Sequence, residues 1–220
     1  MGALLAEFIG TFTLIFIGVG SIIADHTTGG AVGLTGIALA HGLAIACMVS
    51  ATAAVSGGHL NPAVTLGLLS TGHVKAGTAV KYIISQLAGA VVAAVLIKFV
   101  SPADGVAATM LGTPALGANI SPVQGVVTEI ILTFLFVFVI YGTAVDGRAP
   151  KMGGLFIGLA IALDVLAGGP ITGAAMNPAR SFGPAIVGGH LENMWIYWVG
   201  PIIGAVLAAM IYKGTMEAKA

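Results

Sequence analysis

The tripeptide Asn-Pro-Ala occurs twice in this chain, beginning at Asn61 and at Asn177. Asn is a good helix N-cap, and Pro suits the first helical position because its missing N–H would have no partner there. Each copy therefore predicts the start of a helix. The apolar segments that follow, 62–70 and 178–187, are too short to cross a bilayer, which takes about 20 residues. We expect two half-helices whose tips lie inside the membrane and carry the asparagine amides as hydrogen-bond donors.

The composition indicates that lipid is the main solvent of this chain. Hydrophobic residues make up 58% and charged residues 7%, with a mean hydropathy of +1.07. A typical soluble domain has about 25% charged residues. Six stretches are long enough to span a bilayer: 3–24, 34–55, 79–100, 122–144, 153–169 and 194–213. The first has no basic leader, and we interpret it as a retained span. The sequence predicts an all-α membrane protein with six transmembrane helices plus two half-helices.

The chain also repeats itself. The segment 56–63 returns as 172–179, and Glu7 near the start of the first span returns as Glu129 near the start of the fourth. Each half has three full crossings, and an odd number means that the second half enters the membrane from the opposite side. The sequence therefore predicts an inverted 3+3 repeat with its functional site near the midplane. We treat 1–220 as a single domain with repeat halves 1–100 and 122–220 and an extracellular loop 101–121.

Basic residues predict the orientation. Only Lys98 and Arg180 would lie outside if the amino terminus were inside. The inner basic residues would then be Lys75, Lys81, Arg148, Lys151, Lys213 and Lys219. The positive-inside rule therefore favours cytoplasmic positions for both termini. We predict a multi-pass protein of the cell membrane.

Inverted half-helices would meet amino end to amino end, with the positive ends of their dipoles at the centre. Cations, including hydronium, meet a barrier there, whereas a neutral molecule with an acceptor oxygen does not. Non-helical backbone at that depth must line an aqueous cavity or be buried in protein. We expect the carbonyls facing the lumen to come from Gly57, Gly58, His59, Leu60, Gly173, Ala174, Ala175 and Met176.

Two Asn-Pro-Ala copies in matching places of a six-span inverted repeat resemble the major intrinsic protein family, the aquaporins and aquaglyceroporins. The resemblance runs from Glu7 to about Tyr212. It implies a homotetramer in the lipid bilayer, with one pore per subunit. It also implies that Glu7 and Glu129 brace the two pore loops, although a buried acid can alternatively couple protons. The pore motifs would be Asn61, Pro62, Ala63, Asn177, Pro178 and Ala179.

The resemblance implies a selectivity filter of four positions: His41, Val165, Ala174 and Arg180. A guanidinium there has a permanent charge and several donors. Strict water channels of the family usually have Phe and His where His41 and Val165 stand. The filter is similar to that of plant tonoplast intrinsic proteins, which pass water and, variably, ammonia, urea or hydrogen peroxide. Ser181 stands where glycerol facilitators typically have Asp.

We predict a passive membrane channel that conducts water and excludes ions and protons, with ammonia, urea or other small neutral solutes as further permeants. Alternative functions follow from the same features. One is a glycerol, urea or ammonia facilitator of the same architecture. Another is an ion-coupled secondary transporter, which also uses inverted repeats. Glu7, Glu129 and Asp164 are its midplane candidates, and Asp164 would either accept backbone hydrogen bonds or pair with His41. The five histidines lack metal-ligand spacing, no nucleophile motif occurs, and Cys47 is the only cysteine. We therefore expect no enzyme and no metal or other cofactor, and the net charge of zero argues against a nucleic-acid partner.

Overall fold

The computed structural model describes residues 1–150 and 152–217. Within these ranges the structure confirms an all-α fold with six helices long and apolar enough to cross a membrane. These six are α1 (Gly2–Thr27), α2 (Gly33–Ser56), α4 (Ala76–Val100), α6 (Pro122–Ile140, continued by a π-helical turn to Val145), α7 (Gly153–Thr172) and α9 (Ile196–Thr215). The two half-helices are α3 (Pro62–Ser70) and α8 (Pro178–Gly188).

The predicted boundaries of all six spans agree with the structure to within three residues, and the fifth span runs three residues beyond its predicted end. We predicted its end at 169, yet α7 continues through Pro170 to Thr172. A proline interrupts the hydrogen bond to the residue four positions earlier, which is tolerated where a helix is about to end. The helix stops at Gly173, which has φ 80°, just as α2 stops at Gly57 with φ 91°. Both pore loops therefore begin with a glycine in the left-handed conformation that ends many helices.

The six long helices form two similar units. In the first, α1 packs against α2 and α4, and in the second α6 packs against α7 and α9. The units meet along α2 and α7, where a Cβ on Gly42 would lie 2.6 Å from the carbonyl oxygen of Gly158. Small residues permit this close approach between two membrane helices.

Each half-helix packs against the last long helix of the other unit. The half-helix α3 lies against α9, and α8 lies against α4. The two contacts are equivalent under the repeat, so each half of the chain holds the half-helix of the other in place. This exchange brings the amino ends of α3 and α8 together in the interior.

The connection 101–121 is more ordered than a plain loop. It contains the short helix α5 (Ala103–Ala108) and a 3₁₀ turn at Met110–Gly112. Leu111 is 1% exposed, and a Cβ on Gly112 would lie 3.1 Å from the side chain of Val19 on α1. The connection therefore folds onto the bundle rather than standing away from it.

The two ends of the bundle carry different basic residues. At one end Lys213 donates to the carbonyl of Thr71, and Arg148 donates to Asp146 and to the carbonyl of Met216. The Arg148 guanidinium holds the pKa of the Asp146 carboxyl well below its usual range. At the other end Lys98 donates to the Val187 carbonyl (3.0 Å). Two residues that support the predicted orientation, Lys151 and Lys219, lie outside the described residues.

Candidate functional site

Asn61 and Asn177 cap the two half-helices. The Asn61 Oδ1 accepts a hydrogen bond from the backbone N–H of Ala63 (2.8 Å), and the Asn177 Oδ1 accepts one from Ala179 (2.9 Å). Pro62 and Pro178 occupy the first helical positions. The side-chain oxygens are therefore used within their own half-helices, which leaves the amide N–H groups free to point elsewhere.

The two half-helix tips are joined by a crossed pair of hydrogen bonds. The Asn61 Nδ2 donates to the Met176 carbonyl (2.9 Å), and the Asn177 Nδ2 donates to the Leu60 carbonyl (3.0 Å). Each amide has a second N–H, so each tip still carries a donor beyond this pair. Both asparagines are only 3% exposed.

These bonds change the expected role of one pore-loop carbonyl. The Leu60 carbonyl accepts from Asn177 and also from the Thr11 hydroxyl (3.2 Å), and Leu60 is fully buried. The expectation that the Leu60 carbonyl faces the lumen is therefore wrong. The Met176 carbonyl likewise accepts a hydrogen bond from the Asn61 amide, although Met176 lines the narrow cavity described below.

Two buried carboxylates hold the pore loops from behind. Glu7 accepts from the backbone N–H groups of His59 (3.0 Å) and Leu60 (2.7 Å). Glu129 accepts from those of Ala175 (2.9 Å) and Met176 (2.7 Å). The hydroxyls of Ser56 and Thr172 complete the two equivalent sets, and Gln86 adds a further donor to Glu7.

The carboxylates stabilise backbone that is otherwise unfavourable. Leu60 and Met176 both have φ 51°, and Ala174 has φ 44°. A residue with a Cβ in this left-handed region costs roughly 1–2 kcal/mol. Charge-assisted hydrogen bonds to the neighbouring N–H groups offset that cost and fix the loops in place.

A narrow cavity of about 20 Å³ begins at the half-helix tips. A single water needs about 10–15 Å³ of such space, so this cavity has room for about one water molecule. Its polar lining comes from His41, Arg180 and the two asparagines. Apolar side chains make up much of the remaining wall: Leu14, Ile45, Phe136, Ile161 and Val165.

Two wider cavities adjoin this region. An outer cavity of about 180 Å³ shares His41, Val165 and Arg180 with the narrow one, so these three side chains form the boundary between them. Gly173 also lines the outer cavity, whereas Ala174 and Ala175 line the narrow one. An inner cavity of about 270 Å³ lies on the α3 side of the tips and is lined by Gly57, Gly58 and His59 among others. The candidate filter and pore-loop residues other than Leu60 therefore border one of three successive spaces.

The backbone holds the two polar side chains at this boundary. Arg180 is 3% exposed and donates through Nη1 to the Gly112 carbonyl (2.8 Å). The Nδ1 of His41 donates to the Ile37 carbonyl (2.9 Å). Neither side chain forms an ion pair with a carboxylate among the described residues.

From the sequence we expected Asp164 either to accept backbone hydrogen bonds or to pair with His41, and in the part of the chain that the structure describes it does neither. It is 5% exposed, and its Oδ2 has no hydrogen-bond partner within the described ranges. Its suggested partner His41 bonds to Ile37 instead. The carboxyl group is therefore buried beside the filter without taking part in the hydrogen bonds that hold it.

The apolar wall of the narrow cavity was not among the site residues predicted from the sequence. The repeat contained the necessary signal, because Leu14 and Phe136 stand seven residues after Glu7 and Glu129. Ile45 and Ile161 are related by the same offset as the two Asn-Pro-Ala copies. Gly112 was also missed, since a backbone carbonyl that supports Arg180 leaves no side-chain signature.

Comparisons with known proteins agree on one family. The family profile described as "Major intrinsic protein" matches residues 1–212. The chain is 48% identical to aquaporin TIP4-4 of Zea mays, covering 99% of this chain and 87% of that protein. It is 46% identical to probable aquaporin TIP2-1 of Oryza sativa subsp. japonica (96% and 86% covered) and 45% identical to aquaporin TIP2-3 of Arabidopsis thaliana (96% and 85%).

A solved structure shares the fold. The X-ray structure of the aquaglyceroporin from Plasmodium falciparum matches with a TM-score of 0.87 at 27% identity. The match covers 97% of this chain and 95% of the other.

Proposed function

Because this chain belongs to the major intrinsic protein family, we propose that it is a passive channel that conducts water down an osmotic gradient. One observation carries the proposal: two capping asparagines, hydrogen-bonded to each other's pore loops, line a cavity with room for about one water molecule. An amide N–H offered to a passing water binds its oxygen, and the apolar wall opposite lets the water leave again.

The same geometry supports the exclusion of ions and protons. Two half-helix amino ends and the Arg180 guanidinium place positive charge along one narrow path. A cation entering this path loses its hydration and meets repulsion, whereas water does not. A water bound to both asparagine amides points its hydrogens outward, which disfavours a continuous proton wire.

The filter supports a second candidate function, the passage of ammonia, urea or other small neutral solutes besides water. Val165 offers no donor and less bulk than the His of strict water channels, so the boundary is wider and less polar. A glycerol facilitator receives less support, because Ser181 stands where glycerol facilitators typically have Asp. The Ser181 hydroxyl is also buried and donates to the Pro178 carbonyl (2.9 Å). The likeness to an aquaglyceroporin structure does not distinguish the water channel, the channel for other small neutral solutes and the glycerol facilitator, because all three share this architecture.

We further propose a homotetramer with both termini in the cytoplasm and one channel domain over 1–220, its halves joined by an extracellular connection 101–121. The end of the bundle that carries Arg148 and Lys213 supports this orientation, because basic residues are more frequent on the cytoplasmic side of membrane proteins. The sequence predicts the cell membrane, whereas the TIP names of the relatives favour an internal membrane. Fractionation of the expressing cells, with markers for both membranes, decides between these locations.

Stopped-flow light scattering on proteoliposomes tests the function. We expect fast, weakly temperature-dependent water flux that is the same with and without a proton or sodium gradient. A dependence on either gradient would support an ion-coupled transporter instead. We expect Val165→Trp to block the flux, because the indole would fill the boundary between the outer and narrow cavities.

The matched control is Leu163→Trp, two residues away on the same helix and 67% exposed on its outer face. It should leave the flux unchanged. Full water flux through Val165→Trp would show that water does not follow this path.

A further inference from the structure

One row of residues on α1 runs along the proposed path. Leu14 lines the narrow cavity and Ile22 lines the outer one. Gly18 lies midway, four residues from each, and therefore on the same helix face. At the level of the boundary between the two cavities, α1 has no side chain.

The imidazole of His41 occupies the space that a side chain at position 18 would take. An ideal Cβ built on Gly18 would lie 2.5 Å from Nε2, 2.7 Å from Cδ2 and 2.9 Å from Cε1 of His41. All three of its nearest neighbours belong to this one ring. The ring thus rests against the backbone of α1, while its Nδ1 is bonded to the Ile37 carbonyl.

We propose that Gly18 is a specificity-determining residue of this channel. Because it has no side chain, it lets the His41 ring lie against α1 and so sets the width left between His41, Val165 and Arg180. This inference rests on the proposed function, since it concerns the filter of that same path.

The consequence of a methyl group at this position follows from the contact distances. Ordinary contact between carbon and ring atoms begins near 3.4 Å, so the ring would have to retreat by about 1 Å. It can do so by rotating its side chain, and the helix backbone need not move. Movement away from α1 carries the ring toward the path. In a cavity of about 20 Å³, a shift of this size is enough to obstruct water and to exclude larger solutes.

The test compares Gly18→Ala with Gly20→Ala in proteoliposomes, normalised to folded protein. Gly20 lies on the same helix, and a Cβ there would meet only Ile97 at an ordinary 3.5 Å. We expect Gly18→Ala to lower water flux by roughly threefold to tenfold, and any urea flux by more, because the narrower opening discriminates by size. Gly20→Ala should match the unmodified channel. Equal flux in Gly18→Ala and the unmodified channel would overturn the inference.

A double variant separates this role from simple helix packing. If Gly18 acts through the ring, Gly18→Ala combined with His41→Ala should have the flux of His41→Ala alone. A double variant that keeps the full loss of Gly18→Ala would mean that the methyl group acts on the helices, which would overturn the inference. If Gly18→Ala alone does not fold, recovery of folded protein on adding His41→Ala supports it, and no recovery overturns it. Absence of flux in the unmodified channel would instead refute the proposed function, and this inference with it.

Discussion

Glutamine in place of either buried glutamate tests how the pore loops are held. A glutamine side chain has one acceptor oxygen and one donor NH₂ in place of two acceptors. Glu7 receives four donors, from Ser56, His59, Leu60 and Gln86. Glu129 receives three, from Thr172, Ala175 and Met176. A count of donors alone would make Glu7→Gln the more damaging change.

The chemistry of the donors predicts a different result. A hydroxyl or a side-chain amide can turn and accept from the new NH₂, so Ser56, Thr172 and Gln86 can adapt. A backbone N–H cannot turn. One backbone N–H would be left facing the NH₂ in either variant, so we expect equal costs of about 1–3 kcal/mol. Glutamate to alanine should cost more at both positions, because it leaves two backbone N–H groups without a partner.

Thermal unfolding of the purified protein in detergent measures these costs. For a chain of this size, 1 kcal/mol corresponds to about 2–4 °C in the midpoint. Glu192→Gln is the control, because Glu192 is exposed in a loop and should not change the midpoint. A midpoint loss twice as large for Glu7→Gln as for Glu129→Gln would refute the adaptation of side-chain donors. Midpoints equal to the control for both would refute the bracing of the loops by carboxylates.

Three other predictions concern the filter and the inner end. Val165→His should reduce urea or ammonia flux more than water flux in proteoliposomes, because it adds bulk and a donor at the boundary; equal losses for all solutes would contradict the filter assignment. Mercurials should not block the unmodified channel, because Cys47 is exposed on α2 and lines none of the three cavities, whereas Ala174→Cys should make it sensitive. The pKa of Asp146 is lower in the folded protein than in the unfolded chain, because its carboxylate is bonded to Arg148. This interaction therefore stabilises the fold fully at pH values above the ordinary carboxyl pKa of about 3.9. The stabilisation is lost only as the pH falls through the lower pKa of the folded protein. Hydrogen exchange of that loop should therefore be protected equally at pH 5 and pH 8 after correction for the intrinsic rate, and Asp146→Asn should remove the protection at both.

The parts of the fold that follow from short-range chemistry could be predicted from the sequence. Asn-Pro at the head of a short apolar segment determines a capped helix start, and α3 has the predicted bounds 62–70. The fifth span runs three residues beyond its predicted end, because α7 continues through Pro170 and stops at the left-handed Gly173.

The parts that depend on long-range contacts could not be predicted. The amide of Asn177 bonds to the carbonyl of Leu60, 117 residues away, and neither residue type indicates that pairing. The carbonyl of Gly112 supports Arg180 only because the connection 101–121 folds onto α1. Every residue has the same backbone carbonyl, so the sequence does not indicate which carbonyl a distant side chain will bond to.

The exchange of half-helices between the two units constrains the order in which the chain can be assembled in a membrane. The half-helix α3 is made before its main packing partner α9, and α4, α6, α7 and α8 are made between them. Nine residues are too few to span a bilayer by themselves, so α3 cannot reach its final packed position until α9 has been made. The water path is therefore complete only after α9 has joined the bundle, and a chain truncated before α9 would have no finished channel.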